Sequence, residues 1–438
     1  MLRGLGRRSA RIPMLGALAV VAATAVVAMP GQEAPPPEVT TEAVDLTQPA
    51  VPVAPGWTGE ADVDPELVGI EWEGEAQASF TIETRDESGA WSAAGTVEAH
   101  PRDEGPDDGS ADAANRPAAN VSEPLWVGEG VTGVRVRLDV GTAADVDLHA
   151  VDSPPTGAPD GSAVADDGPI LVGEGIDSTP RLIALVVLVA AGLGLALALA
   201  RSPRPSRFRL RCAVGAAVVA SLGLTACVAG PAPNGSVPNG MISRAAWGAN
   251  EGLRTANCPG GPDYMPSVRF AVVHHTVNSN NYTGSQGPQL VRGIYGYHTQ
   301  SLGYCDIAYN FLIDRNGNLF EGRYGGAGNA VMGAHALGFN TSSTGVALIG
   351  DFRSAVPPDP MIVTLERVLA WKLAVHGIDP RVNIPYTTSG NEKWPRNATV
   401  TVPTITYHAY TGYSECPGTQ VINRMAWIRA LVAQQMGY

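Results

Sequence analysis

Three uninterrupted apolar runs stand out in the hydrophobic pattern, at residues 12–29, 182–200 and 212–229. A membrane helix needs about 20 apolar residues, so the second run is long enough to cross a bilayer, and the other two are borderline and signal-like. Arginines precede the first run, and an arginine-rich stretch at 201–211 separates the second from the third. The pattern predicts a signal peptide or membrane anchor over 1–30 and a membrane hairpin over 181–229.

The arginine clusters also give the direction of crossing, because the positive-inside rule places them in the cytoplasm. The chain then runs outward, inward and outward again, which puts residues 31–180 and 231–438 on the cell-wall side of the cell membrane. A buried helical hairpin is the alternative for the second and third runs. Neither run has a polar face, however, and arginines stand between them, which favours the membrane.

The third run ends in "SLGLTAC", which resembles the lipoprotein signal of bacteria and closes at Cys227. Two interpretations stay open for this cysteine. It lies at the outer end of a retained helix, or it is lipidated after a cleavage that separates residues 1–226 from the rest. We favour the retained helix, because such signals are normally processed at an N-terminus.

Shorter alternating runs predict a small β-sandwich over residues 59–155. "ASFTIET", "VRVRLDV" and "DVDLHAV" alternate apolar and polar positions, which is typical of antiparallel strands with one buried face. The Pro-rich residues 31–58 predict a disordered linker, residues 156–180 predict a second linker, and an acidic segment at 101–120 is expected to be mobile. A binding or spacing role and a purely structural role both stay open for this domain.

A different pattern follows a Pro/Gly/Asn linker at 230–240. Strands are predicted at 270–275, 344–352 and 404–408, with a strand, an Asn-Gly turn and a second strand over 306–323. Helices are predicted over 287–301, 361–378 and 418–435. Residues 241–438 are therefore expected to form an α/β domain with one core.

The charge of the chain narrows its partners. With a formal net charge of −13, the protein is a poor candidate for binding nucleic acid, which needs a basic patch. The one dense arginine cluster flanks an apolar run, so it fits a membrane better. The sequence leaves the oligomeric state open.

Three potential zinc ligands stand at or just beyond predicted strand ends: His274, His408 and Cys416. Catalytic zinc takes three protein ligands and leaves a fourth position to water, and imidazole and thiolate suit it. Each residue also has an ordinary interpretation, as a hydrogen-bonded histidine or as a buried or disulfide-bonded cysteine. Because His-x7-Cys is not a sufficient signature, the spacing alone leaves both possibilities open.

Longer motifs give a more specific indication. They are "SRAAWGA", "VVHHT", "YHTQSLGYCDIAYNFLIDRNGNLFEGR", "GAHALGFNTSSTGVALIGDF" and "ECPG". Over about residues 240–435 the chain resembles the zinc-dependent N-acetylmuramoyl-L-alanine amidases, a family that includes the peptidoglycan recognition proteins. The resemblance implies a mixed central β-sheet flanked by helices, with zinc bound by His274, His408 and Cys416.

The resemblance also implies roles for residues around the metal. Tyr309 matches the tyrosine that assists at the attacked carbonyl, and Ser414 stands where relatives have threonine or lysine. His408 is followed by Ala-Tyr where many bacterial relatives have Arg-Asp. Candidates for the substrate groove, each with a structural role as the alternative, are Thr276, Arg323, His335 and Asn340. Cys258 and Cys305 match a disulfide of some recognition proteins, and two free thiols are the alternative.

The function implied by the resemblance is hydrolysis of the amide between N-acetylmuramic acid and L-alanine in peptidoglycan, with one Zn²⁺ per domain. A non-catalytic peptidoglycan receptor that uses the same groove is the alternative. The three ligand residues favour the enzyme, and the departures at Ala409 and Ser414 keep the receptor open.

Overall fold

The computed structural model describes residues 38–47, 51–98, 104–155, 237–238 and 240–438. All of them belong to one compact unit, Pro36–Tyr438. The three apolar runs and Cys227 lie outside the described residues, so the membrane, signal and lipidation predictions stay predictions. Within the described part of the chain, no helix has both the length and the apolar character needed to cross a membrane.

Residues 38–155 form a β-sandwich, which confirms the all-β prediction. Its strands are β1 Thr40–Asp45, β2 Thr58–Ala61, β3 Leu67–Gly74, β4 Ser79–Asp86, β5 Trp91–Glu98, β6 Asn120–Val121, β7 Leu125–Trp126, β8 Val131–Val140 and β9 Ala143–Asp152. One sheet has the order β1-β9-β3-β6, with β7 also on β3, and the other has the order β2-β8-β4-β5. Alternate residues such as Phe80, Ile82, Val136 and Leu148 fill the core between them.

Two predictions for this domain are wrong. Within the expected linker 31–58, β1 pairs with β9 along its whole length, from Thr40 opposite Asp152 to Asp45 opposite Asp147. β1 has little apolar surface of its own, and its backbone N–H and C=O groups find hydrogen-bond partners in β9. Within the expected mobile segment 101–120, residues 104–116 pack against the C-terminal domain and include a short 3-10 helix, Asp112–Asn115. We call residues 104–116 the acidic segment.

Residues 241–438 form an α/β domain. Its strands are β10 Phe270–His275, β11 Phe311–Ile313, β12 Leu319–Glu321, β13 Ser343–Leu348, β14 Asn383–Thr387, β15 Thr399–Pro403 and β16 Ile405–Tyr407. Its helices are α1 Arg244–Trp247, α2 Glu251–Asn257, α3 Gly287–Gly296, α4 Asp359–Val375, α5 His408–Thr411, α6 Thr419–Ile422 and α7 Met425–Gln435. A π-helical turn, Tyr297–Ser301, extends α3, and a 3-10 turn, Gly284–Gln286, precedes it.

The central sheet of this domain has the order β12-β11-β13-β10-β16. β10 runs parallel to both of its neighbours, and β12 is antiparallel to β11, so the sheet is mixed as the resemblance implied. Helices α4 and α7 cover one face of the sheet. All six residues of β10 are buried, which is typical of a parallel strand covered on both sides.

The predicted elements of this domain are present, and the structure adds the short helices α1, α2 and α5, which were not predicted. The helix expected over 418–435 is divided into α6 and α7. The hairpin of β14 and β15 was not predicted, because its strands are short and "NIPYT" and "TVTVP" both contain proline, which demotes a strand pattern.

The two domains share a packed interface. Apolar residues of the sandwich, including Leu67 and Val151, form one cluster with residues of α3. The Tyr297 hydroxyl donates to the Ser122 carbonyl at 2.9 Å. Gly69 in β3 allows this approach, since a Cβ at that position would lie 2.2 Å from the Tyr297 hydroxyl. The sandwich is therefore fixed against the α/β domain.

Candidate metal centre

The three predicted ligands meet at one edge of the central sheet. His274 lies near the carboxyl end of β10, and His408 follows directly after β16. Because β10 and β16 are adjacent and parallel, their carboxyl ends lie side by side. Cys416, in the loop between α5 and α6, returns to the same place, and its sulfur accepts the His275 N–H at 3.2 Å.

Strand geometry explains why the first histidine of the pair faces this cluster. Successive side chains of a strand point to opposite faces, so His274 shares a face with Val272, and His275 shares the other with Val273. His275 instead accepts the Phe352 N–H through Nδ1 at 3.2 Å. Only the first histidine is therefore placed to join His408 and Cys416.

A fourth donor, Glu104, comes from the acidic segment of the N-terminal domain. One ligand atom each of Glu104, His274, His408 and Cys416 lies within 4.8 Å of the other three, and all four residues are buried. Oε1 of Glu104 is 3.5 Å from Nδ1 of His274 and 3.3 Å from Nδ1 of His408. The Cys416 sulfur is 3.6 Å from Nδ1 of His274.

This donor set fits a zinc ion. Two imidazoles, a thiolate and a carboxylate converge on one point, and zinc takes these ligands in tetrahedral geometry. Burial lowers the pKa of His274 to about 4, so its ring is neutral at pH 7, the form that binds a metal. Burial, with a contribution from Glu104, holds the pKa of the Cys416 thiol well above its usual value. Metal binding would therefore displace a proton from the thiol.

His335, predicted for the groove, lies behind the metal cluster. Its Nδ1 is 3.0 Å from Nε2 of His274, the nitrogen that points away from the cluster. Asn340 in turn fixes the backbone here, because its Oδ1 accepts the N–H groups of His335 and Ala336 at 2.8 and 3.0 Å. Both side chains are fully buried. In this arrangement His335 orients the metal-ligand candidate His274, and Asn340 fixes the backbone at residues 335 and 336. A role of either side chain toward substrate stays a prediction.

Tyr309 and Ser414 both lie close to the cluster. The Tyr309 ring centroid is 5.3 Å from that of His274, and burial holds the pKa of this tyrosine well above its usual value. Its hydroxyl therefore keeps its proton and can donate it in a hydrogen bond. The Ser414 hydroxyl accepts the Cys416 N–H at 3.0 Å and lines a small cavity with Glu104 and Cys416.

The remaining predicted residues have protein partners. The Thr276 hydroxyl accepts the Gly350 N–H at 3.1 Å. Arg323 pairs with Asp112 of the acidic segment, and both side chains are almost fully buried. Cys258 and Cys305 form a disulfide with a Cα–Cα distance of 5.2 Å, as the resemblance implied. Among the described cysteines, Cys416 alone is free.

Sequence reasoning missed Glu104. It precedes the nearest predicted ligand by about 170 residues and belongs to another domain, so no ligand spacing indicates it. The available signal was "RDEGPDD", a run of carboxylates outside the strand pattern of the sandwich. Such runs are usually solvated, and their composition favoured a mobile segment.

Comparisons with known proteins show which family this chain resembles. The sequence model of the N-acetylmuramoyl-L-alanine amidase family matches residues 263–419. Peptidoglycan-recognition protein SC1a of Drosophila melanogaster is 31% identical over 186 residues, which are 42% of this chain and 83% of the relative. Peptidoglycan-recognition protein SC2 of Drosophila simulans is 28% identical over 185 residues, 42% of this chain and 84% of the relative.

Solved structures give a weaker likeness. Drosophila PGRP-LB is 24% identical, and the match covers 43% of this chain and 93% of the PGRP-LB chain. Its TM-score is 0.32, so this likeness adds nothing to the sequence matches. The range matched by the family model lies within the C-terminal domain. On its sequence matches, the chain belongs to the family of N-acetylmuramoyl-L-alanine amidases and peptidoglycan recognition proteins.

Proposed function

We propose that this protein is a zinc-dependent amidase that cleaves the bond between N-acetylmuramic acid and L-alanine of peptidoglycan. The observation that carries the proposal is the convergence of His274, His408 and Cys416 on one point. The family model is described by this activity, and the matched relatives are named for recognising peptidoglycan. The proposal includes an extracytoplasmic location, because peptidoglycan lies there.

The residues of the site have distinct roles in this reaction. When bound, zinc supplies a nucleophilic water at neutral pH and a positive charge for the scissile carbonyl. His335 holds the ring of His274 in the orientation that presents Nδ1 to the cluster. Tyr309, kept protonated by burial, donates a hydrogen bond to the oxygen that gains charge in the transition state. Ser414 is a second donor, once its hydroxyl proton turns toward substrate.

A zinc-content and cleavage assay tests the proposal. The purified chain is expected to hold about one zinc per molecule and to release stem peptide from a soluble muramyl peptide. A chelator and Cys416→Ala should each remove both the metal and the release. Full release by a zinc-free Cys416→Ala protein would overturn the proposal.

A peptidoglycan receptor is the second candidate, and Glu104 is the observation that favours it. A catalytic zinc site keeps one position for water, whereas four protein donors close the site. Tight binding of muramyl peptide with no release, in the wild type and in Glu104→Ala, would support the receptor. Release by either protein would support the enzyme.

A further inference from the structure

The metal centre and the residues around it are closed off from a polymeric substrate. His274, His408, His335 and Asn340 are fully buried, and Tyr309 is 3% exposed. The cavity beside the cluster has a volume of about 120 Å³. Sites for small molecules usually measure about 300–1,000 Å³, so this space is too small for a muramyl peptide.

The acidic segment closes the site together with strand β5 and residues 123–125, and it contacts the C-terminal domain through three carboxylates. Glu104 faces the two ligand histidines, as described above. Asp107 accepts the N–H of Gly338 at 2.8 Å and the Asn340 amide at 2.9 Å. Asp112 pairs with Arg323 and accepts the Cys305 N–H at 2.8 Å. These carboxylates are buried against the C-terminal domain, which distinguishes them from an ordinary solvated acidic run.

Two of the partners are groups predicted for substrate. Arg323 and Asn340 were assigned to the groove, and the acidic segment engages the side chains of both. Guanidinium groups bind carboxylates well, and a stem peptide carries carboxylates. Arg323 can therefore bind a carboxylate of the acidic segment or a carboxylate of a stem peptide by the same chemistry. The backbone of the acidic segment also lies close to the C-terminal domain. A Cβ on Gly303 would lie 2.3 Å from the Asn115 carbonyl oxygen.

We propose that the acidic segment is a built-in plug: residues 104–116 occupy the substrate groove, Glu104 takes the fourth metal position, and the protein cleaves only slowly until the plug is displaced. The low activity in this inference rests on the proposed amidase function. Whether residues 104–116 occupy the groove can be tested without assuming that function. The effective affinity for substrate is then lowered by the small fraction of open molecules.

The test compares two aspartates that are neighbours in the segment. Asp107 is buried in the contact with Asn340, whereas Asp108 is exposed. In the full chain, Asp107→Asn and Asp112→Asn keep the shape of each side chain and remove its charge. Asp108→Asn is the matched control. Neither Asp107 nor Asp112 is among the four clustered donors, so the metal set is left intact.

The first measurement does not depend on activity. Cys416 is 4% exposed beneath the plug. In chelator-treated protein, iodoacetamide should modify Cys416 about tenfold faster in Asp107→Asn and Asp112→Asn than in the wild type or Asp108→Asn, as the open fraction rises. Peptide mass mapping separates Cys416 from the other cysteines. Thermal melting identifies a variant that is merely unfolded, and Asp112→Asn serves if Asp107→Asn fails to fold.

The second measurement is release of stem peptide by the zinc-loaded proteins. Faster alkylation together with faster release supports both the plug and the amidase. Faster alkylation with muramyl-peptide binding but no release in any variant supports the plug and overturns the amidase. Equal alkylation in all folded variants overturns the plug, whether or not the wild type cleaves.

Discussion

The metal centre lies between two parts of the molecule, which we call the floor and the roof. These two parts are held in place in different ways. The floor consists of His274, His408 and Cys416 of the C-terminal domain. Two of these residues stand at the ends of neighbouring parallel strands, so the register of the sheet fixes their distance. The roof is the acidic segment, which has one short 3-10 helix and is held mainly by side-chain contacts with the other domain.

This difference separates what each part can do. A floor fixed by a buried sheet keeps its geometry when the roof changes, because packed interiors resist deformation. The roof depends on a few buried carboxylate contacts, and loss of one partner of such a contact is strongly unfavourable. Floor substitutions should therefore change metal binding and chemistry, and roof substitutions at residues other than the metal donor Glu104 should change access.

The largest expected effect distinguishes the two histidines of the pair. His274→Ala removes a floor ligand and should abolish stoichiometric zinc binding. His275→Ala, on the opposite face of β10, should keep about one zinc per chain. Elemental analysis after dialysis measures this difference. Equal zinc contents in two folded variants would contradict the assignment of the floor.

Tyr309→Phe should keep zinc and slow the reaction. Removal of one hydrogen-bond donor to the developing oxyanion typically lowers kcat by about 10²–10³-fold. The comparison is made in the Asp112→Asn background, in which the roof is released and access is not limiting. An unchanged kcat would remove Tyr309 from the mechanism, and loss of zinc would show that its role is structural.

His335→Ala should weaken the floor without removing a ligand. Loss of the group that orients a metal-bound histidine commonly lowers metal affinity by about 10–100-fold. Chelator competition measures the affinity directly. Asn318→Ala, in the turn between β11 and β12, is a control from the same domain. If both variants hold zinc as tightly as the wild type, His335 does not support His274.

The sequence was a good guide to the floor and a poor guide to the roof. "FAVVHH" and "TYH" predict strands that end in candidate ligands, and the family motifs select these residues. The roof has neither periodicity nor a motif, and its carboxylates become meaningful only when the fold brings Glu104 beside His274. Likewise β1 is polar and short, and its pairing with β9 depends on residues about 100 positions away.

The smallest expected effect concerns Glu66, at the base of the domain interface. Burial raises its pKa to about 7, while its carboxylate accepts the Ser153 N–H at 2.6 Å. Because the folded pKa exceeds the unfolded one, its contribution to stability is fully present below about pH 4.5 and is lost as the pH rises through about 7.

Melting temperatures between pH 5 and 8 should therefore fall less in Glu66→Gln than in the wild type. Glu87→Gln, on an exposed turn, should leave the wild-type dependence unchanged. Because Glu66 is not among the four clustered donors, zinc content should stay the same in both variants, and a change in zinc content would show that the interface and the metal centre are coupled.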